Sequence, residues 1–167
     1  MKKTNIIKCL VRFFCLFGYV YNVCGAQLTL ELQGRENKSG QLHIAVFFVD
    51  GNVTDDTTWD GLVETRKLSH EMGIDTNSMR LFIDDLPQGL TCIRLYLDLN
   101  HNQLLERSSL GLPLEPVGFS NNPSLMFGEP KPKDACFLLD DEAHTQKINL
   151  QFPKKRERKS KHGVTID

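Results

Sequence analysis

Apolar and polar residues alternate with a period of two through the middle of the chain. Leu28, Leu30 and Leu32 are separated by Thr29 and Glu31. Such alternation turns one face of a strand to a core and the other to water. In the next stretch Leu42, Ile44, Val46 and Phe48 share one face, and His43, Ala45, Phe47 and Val49 share the other. A strand that is apolar on both faces is predicted to lie inside a sheet. Weaker alternation marks residues 63–69. Met79, Leu81 and Ile83 then alternate with Arg80, Phe82 and Asp84, and Thr91, Ile93, Leu95 and Leu97 with Cys92, Arg94 and Tyr96. Residues 135–140 and 146–152 complete a set of seven strands, and no stretch carries a convincing helical period.

Turn residues separate these strands. They fill 34–40, 50–61 (with the single tryptophan, Trp59), 72–77 and Leu86-Pro87-Gln88-Gly89. Proline presets φ and glycine reaches φ above zero, so the last of these reads as a tight turn. The pattern predicts an all-β, seven-stranded antiparallel β-sandwich. One connection is out of scale. Residues 98–133 exceed the roughly 15 residues beyond which structureless loops are either functional or disordered. Gly, Pro, Phe and Leu recur throughout it, which predicts a long ordered loop packed on the sheets.

The ends have a different composition. Lys2, Lys3, Lys8 and Arg12 precede an apolar run at 13–21, and Cys24-Gly25-Ala26 offers small residues at a cleavage site. Residues 1–26 therefore read as a secretory signal peptide, and the protein as exported, periplasmic or secreted. The apolar run is shorter than the roughly 20 residues that span a bilayer. Residues 27–152 form the sandwich domain and residues 153–167 a basic disordered tail. The domain carries ten basic and 19 acidic residues, and the tail six basic and two acidic. An acidic body argues against nucleic acid and suits cations. The tail suits weak contact with an anionic membrane surface.

Cys92 and Cys136 are the two cysteines that remain after the signal. In an exported protein two cysteines suggest one disulfide. The alternative is a pair of small buried thiols.

Leu86-Pro87-Gln88-Gly89, Asp98-Leu99-Asn100-His101-Asn102, Gly111, Gly118-Phe119-Ser120-Asn121-Asn122, Phe127-Gly128 and Asp134-Ala135 together resemble one family. It is the bacterial domain of unknown function 2141 family, and the resemblance covers residues 27–152. It implies an exported single domain, similar to the transthyretin-like and carboxypeptidase regulatory-like (immunoglobulin-like) sandwiches. Such modules are accessory or binding domains rather than enzymes. The chain departs from the family where Asp-x-Asn-Gly-Asn-Gly-x-Leu-Asp is usual. His101 and Gln103 replace the glycines, and Glu106 replaces the last acid.

That loop is also a candidate calcium site. Asp98, Asn100 and Asn102 occupy positions one, three and five, the Leu104 carbonyl position seven and Glu106 position nine. Hard cations take six to eight oxygens, and alternate residues of a tight loop can supply them. Position six is Gln103 rather than glycine, and position twelve is Ser109 rather than glutamate. Asn121 and Asn122 would supply further oxygens if the loop folds back. The competing reading is an Asn-rich turn held by side-chain bonds to its own backbone.

Other chemistry is thin. None of the five histidines stands at zinc or copper ligand spacing from another. Ser120 lacks the Gly-x-Ser-x-Gly elbow of a nucleophile. Asp84-Asp85 and Asp140-Asp141-Glu142 are candidate carboxylate pairs for hydrolysis. Gly118, Phe119, Ser120, Asn121 and Asn122, followed by Pro123, Leu125, Met126 and Phe127, form a candidate recognition loop. The competing reading has Phe119, Leu125 and Phe127 plugging the end of the sandwich. The expectation is a non-enzymatic binding or envelope-accessory module that uses residues 98–127 toward a protein or glycan. The alternatives are a carboxylate-dependent hydrolase acting on carbohydrate, or a secreted effector whose basic tail binds a partner.

Overall fold

The computed structural model describes residues 25–34, 38–73, 78–109, 111–126, 128–140 and 142–151. Residues 1–24, where the signal peptide is expected, Phe127, Asp141, Phe152 and residues 153–167 lie outside the described residues.

The chain is mostly β, in two sheets. The strands are β1 (Ala26–Gln33), β2 (Gly40–Val49), β3 (Val63–Met72), β4 (Met79–Leu86), β5 (Gly89–Asp98), β6 (Val117–Phe119), β7 (Cys136–Leu139) and β8 (His144–Asn149). One sheet has the order β4-β1-β8. The other has β3-β2-β5, with β7 and β6 pairing in turn along the remaining edge of β5. A single helical turn, α1 (Pro132–Ala135), leads into β7.

Two details correct the sequence expectation. There are eight strands among the described residues, because β6 lies inside the long loop. Three residues, Val117-Gly118-Phe119, are too few to display a period. The strands are also not all antiparallel, since β1 and β8 pair in parallel, with Leu28 opposite His144 and Leu32 opposite Ile148. A hairpin forces antiparallel pairing, but strands far apart in sequence carry no such constraint. The chain passes from β7 in one sheet to β8 in the other, so no hairpin constrains how β8 pairs with β1.

Alternation explains the core. Leu28, Leu30 and Leu32 of β1, Ile83 and Leu86 of β4 and Ile148 of β8 form one buried cluster with the opposing sheet. That sheet contributes Leu42, Ile44 and Val46 from β2 and Ile93, Leu95 and Leu97 from β5. Full burial of each such side chain stabilises by roughly 1.5–3 kcal/mol. The Leu86–Gly89 turn carries the chain from one sheet to the other. Ala26, the last residue before the expected cleavage, is already buried in β1 opposite Leu86.

The outer face of the five-stranded sheet is covered too. Phe47, Trp59, Cys92, Val117, Phe119 and Ala135 form a second buried cluster there, beneath the loops. This is why β2 is apolar on both faces. The Trp59 indole N–H donates to the Pro130 carbonyl at 2.8 Å and so joins the 50–62 loop to the long loop. On one side the two sheets meet edge to edge, as Val117 and Gln151 exchange main-chain bonds of 3.1 and 2.8 Å. Gly118 sits at this seam. A Cβ there would come within 2.8 Å of both Ile148 and Leu95, so a side chain would force the sheets apart. Among the described residues no helix is long and apolar enough to cross a membrane.

Candidate functional site

Asp98 is the last residue of β5 and is fully buried. Strand pairing with Gln41 fixes its backbone, and its carboxylate organises the turn that follows. Oδ1 accepts the amides of Asn100 (3.2 Å) and Asn102 (3.3 Å), and Oδ2 accepts that of Gln103 (2.7 Å). His101 and Gln103 adopt left-handed φ values of 59° and 63°. These are the two positions where the family pattern has glycine. The turn therefore keeps a glycine-like path with non-glycine residues, at roughly 1–2 kcal/mol each.

The same turn gathers oxygen-bearing side chains. The Asn100 and Asn102 amide nitrogens both donate to Glu106 Oε1, at 2.5 and 2.6 Å. The Asn100 and Asn102 side chains thus meet at Glu106, while Asp98 holds the main chain of the same turn and Leu104 is exposed. Asn100 Oδ1 and Asn102 Oδ1 accept the amides of Asn102 and Leu104, which is the self-bonded turn of the competing reading. Among the described residues no three His, Cys, Asp or Glu side chains meet in metal-binding geometry. A cation here would draw on the asparagine oxygens and a main-chain carbonyl as well.

The structure adds two residues that local spacing did not reveal. Glu115 is 3% exposed and accepts the Leu99 amide on Oε1 at 2.8 Å. His43 of β2 is buried, stacked on Tyr96 at 4.8 Å, with Nδ1 3.0 Å from the Ser69 hydroxyl. Its Nε2 lies 3.7 Å from Asp98 Oδ2. Among the described residues, His43 Nε2 and Glu115 Oε2 are the two buried side-chain atoms with no protein hydrogen-bond partner. Both are neighbours of Asp98. The only sequence signal for His43 was a polar residue within the most apolar strand, and Glu115 had none.

The two acids titrate in opposite directions. Burial pushes the Asp98 carboxyl up, but the amides of Gln103, His101, Asn100 and Asn102 together outweigh it and hold the pKa below the ordinary 3.8. Burial raises Glu115 above its ordinary 4.5, aided by the charges of Glu106 and Asp98 and opposed by the Leu99 and Glu106 amides. Stability follows whichever state binds more protons. With divalent cations chelated, acidification should first increase stability, from the raised pKa of Glu115 down to about 4.5, because the folded state protonates first. Below about 3.8 Asp98 should reverse this, because the unfolded state protonates first and the loss runs down to the depressed folded value. Urea unfolding between pH 2 and 7 tests both arms. Glu115→Gln should remove the rise and Asp98→Asn the fall.

The recognition-loop residues are placed differently from one another. Gly118, Phe119 and Ser120 are buried. The Ser120 hydroxyl accepts the Ile93 amide at 2.9 Å and donates to the Ala135 carbonyl. Asn121 and Asn122 have left-handed φ values of 63° and 50°. The Asn121 amide donates to the Cys136 carbonyl at 2.8 Å. Asn122 donates to the Lys147 carbonyl and accepts the Asn149 amide, both at 2.7 Å. The run thus joins β5, β7 and β8, and its amides are not free to fold back on the Asp98 loop. Among the described residues, the large apolar side chains exposed on the long loop are Leu104, Leu112, Leu114 and Met126.

The remaining candidates stay apart. Asp84 and Asp85 are exposed at the end of β4, and Asp140 caps an exposed turn by accepting the Glu142 amide. Cys92 and Cys136 lie opposite each other on β5 and β7 at disulfide distance. An open cleft of about 460 Å³ lies over Trp59, between the 55–60 and 129–132 segments. Its Arg94 and Arg107 are both paired with Glu129, at 3.3 and 2.7 Å.

A family model described as an uncharacterized protein conserved in bacteria, DUF2141, matches residues 30–147. No curated protein and no solved structure matches the chain.

Proposed function

The chain belongs to the DUF2141 family, and on that premise we propose that it is an exported, non-enzymatic β-sandwich module whose Asp98 loop binds calcium. The observation that carries the reading is the organisation of that loop. One buried carboxylate gathers the amides of Asn100, Asn102 and Gln103, and the turn it creates brings Asn100, Asn102 and Glu106 to one point. Calcium is the cation such a set suits, since it accepts mixed carboxylate, amide and carbonyl oxygens in flexible geometry. Asp98, Asn100, Asn102, the Leu104 carbonyl and Glu106 would hold it. The shared core between the two sheets supports the sandwich, similar to transthyretin-like and immunoglobulin-like modules.

A binding or envelope-accessory role, with a protein or glycan as partner, is supported by where the apolar surface lies. Leu104, Leu112, Leu114 and Met126 are exposed on the long loop that contains the candidate calcium site. Calcium would order that loop and so present them. A carboxylate-dependent hydrolytic role finds less support, since Asp84 and Asp85 are exposed at a strand end and Asp140 caps a turn, and the Ser120 hydroxyl is spent on main-chain bonds.

Calcium titration with calorimetry, after chelation, tests the reading directly. Binding should be accompanied by a gain of about 2.7 kcal/mol in unfolding free energy when calcium stands at a hundred times its Kd. Absence of both heat and stabilisation would overturn the calcium reading and return the loop to a self-bonded turn.

A further inference from the structure

We infer that the open cleft over Trp59 is a second binding site, which takes the carboxylate of an acidic sugar through Arg94 and Arg107. The inference rests on the reading of the module as a glycan binder and is independent of calcium. Arg94 alternates with the core residues Ile93 and Leu95, so it projects from the outer face of β5. Its guanidinium lies over two rings, 5.4 Å from the centre of Trp59 and 5.7 Å from that of Phe47. Trp59 is itself fastened to Pro130 by its indole N–H. A guanidinium stacked in this way has little freedom left to lose on meeting a ligand, and its planar fork matches a carboxylate. Nη1 donates to Glu129 at 3.3 Å, and the other two guanidinium nitrogens have no hydrogen bond among the described residues.

Charge separates this cleft from the rest of the surface. Arg94 and Arg107 share one carboxylate, Glu129, and Lys131 and Lys133 share another, Asp55. The four cations therefore exceed their partners by two charges, of which Asp60 on the lining offsets one. They are four of the ten basic residues in 27–152, a segment with 19 acids. A concave surplus of positive charge in an acidic body concentrates an anion. The cavity, about 460 Å³, falls within the roughly 300–1000 Å³ of small-ligand sites. The rest of the lining selects the class of anion. Thr58 and Asp60 line it with exposed polar side chains, and Pro130 and Pro132 with apolar edges. A sugar ring carries hydroxyls at its rim and C–H groups on its faces, and so uses both. A peptide C-terminus would use the arginines alone.

Trp59 is the single tryptophan of the chain, so its fluorescence reports on this cleft. The full chain, in chelator, is titrated with glucuronate, acetate and glucose. Glucuronate should change the emission saturably, acetate should bind several-fold more weakly, and glucose should have no effect. Arg94→Gln should weaken glucuronate binding about tenfold or more, the loss expected for a hydrogen bond to a charged group. No saturable response of the wild type to glucuronate overturns the inference, and leaves the calcium reading and a protein partner standing. Acetate binding within twofold of glucuronate makes the cleft a site for any carboxylate and overturns the sugar assignment. Glucose binding as tightly as glucuronate overturns the role of the arginines. An Arg94→Gln affinity within twofold of wild type places the ligand elsewhere and also overturns the inference. Arg94 holds Glu129 as well, so should that variant fail to fold, Arg107→Gln decides. The same loss is expected of it, and a change within twofold overturns the inference.

Discussion

Removing the Cys92–Cys136 link with the double variant Cys92→Ala/Cys136→Ala should lower the unfolding free energy by about 4 kcal/mol. The two residues face each other across β5 and β7, and 44 residues separate them. In the chain-entropy account, a loop of that length held closed in the unfolded state accounts for a loss of this size. The link also fastens the end of the long loop beside Ser120, whose hydroxyl already bridges Ile93 and Ala135. Typical domains are stable by only 5–15 kcal/mol, so one link is a large share. Guanidinium unfolding of the oxidised protein, the reduced protein and the double variant checks this. The last two should coincide and fall below the first. A difference under about 1 kcal/mol would mean that strand pairing alone closes the loop. A strong dependence on the link would fit the proposed export, since disulfides persist in oxidising compartments.

Phe119→Ala should cost roughly 3–5 kcal/mol, the range for deleting a fully buried phenylalanine side chain. Phe119 is 1% exposed and its ring lies 5.6 Å from that of Trp59, which in turn lies 5.4 Å from Phe47. Its removal leaves a cavity under the two loops that cover the outer face of β2 and β5. Urea unfolding midpoints with an unchanged m-value would report it. A loss below about 1 kcal/mol would mean that the ring contributes little to the core, which would favour a recognition role. Asn121 provides the contrast. Its side chain makes a hydrogen bond to the Cys136 carbonyl, so Asn121→Ala should cost about 1 kcal/mol for that bond and about 1 kcal/mol more for alanine at the left-handed φ of 63°.

These two residues show where sequence reading reached its limit. The apolar and polar residues of the Gly118–Asn122 run were visible as a distinctive group. Their direction was not, because a three-residue strand has no measurable period. Once β6 pairs with β5, alternate side chains must point to opposite faces. Gly118 then falls between the sheets and Phe119 falls under the loops. The two asparagines reach β7 and β8 because β7 begins and β8 ends beside the turn. The turn after Asp98 was read more completely, because its hydrogen bonds join residues close in sequence: Asp98 takes the amides of Asn100, Asn102 and Gln103, and Glu106 takes the side chains of Asn100 and Asn102. Glu115 and His43 could not be read from spacing, since they reach Asp98 from a returning loop and from a neighbouring strand.

The sequence by itself determined the all-β character, the positions of the long strands, the turns between them, the cysteine pair and the turn after Asp98. All are local features or, for the cysteines, a count of two. Only the tertiary structure decided the eighth strand, the parallel pairing of β1 with β8, the burial of Phe119 and Ser120, and the meeting of Glu115 and His43 at Asp98. Each of these depends on which distant segments share an edge or a face. Alternation along a strand specifies which side chains are buried, but says nothing of the neighbour they are buried against.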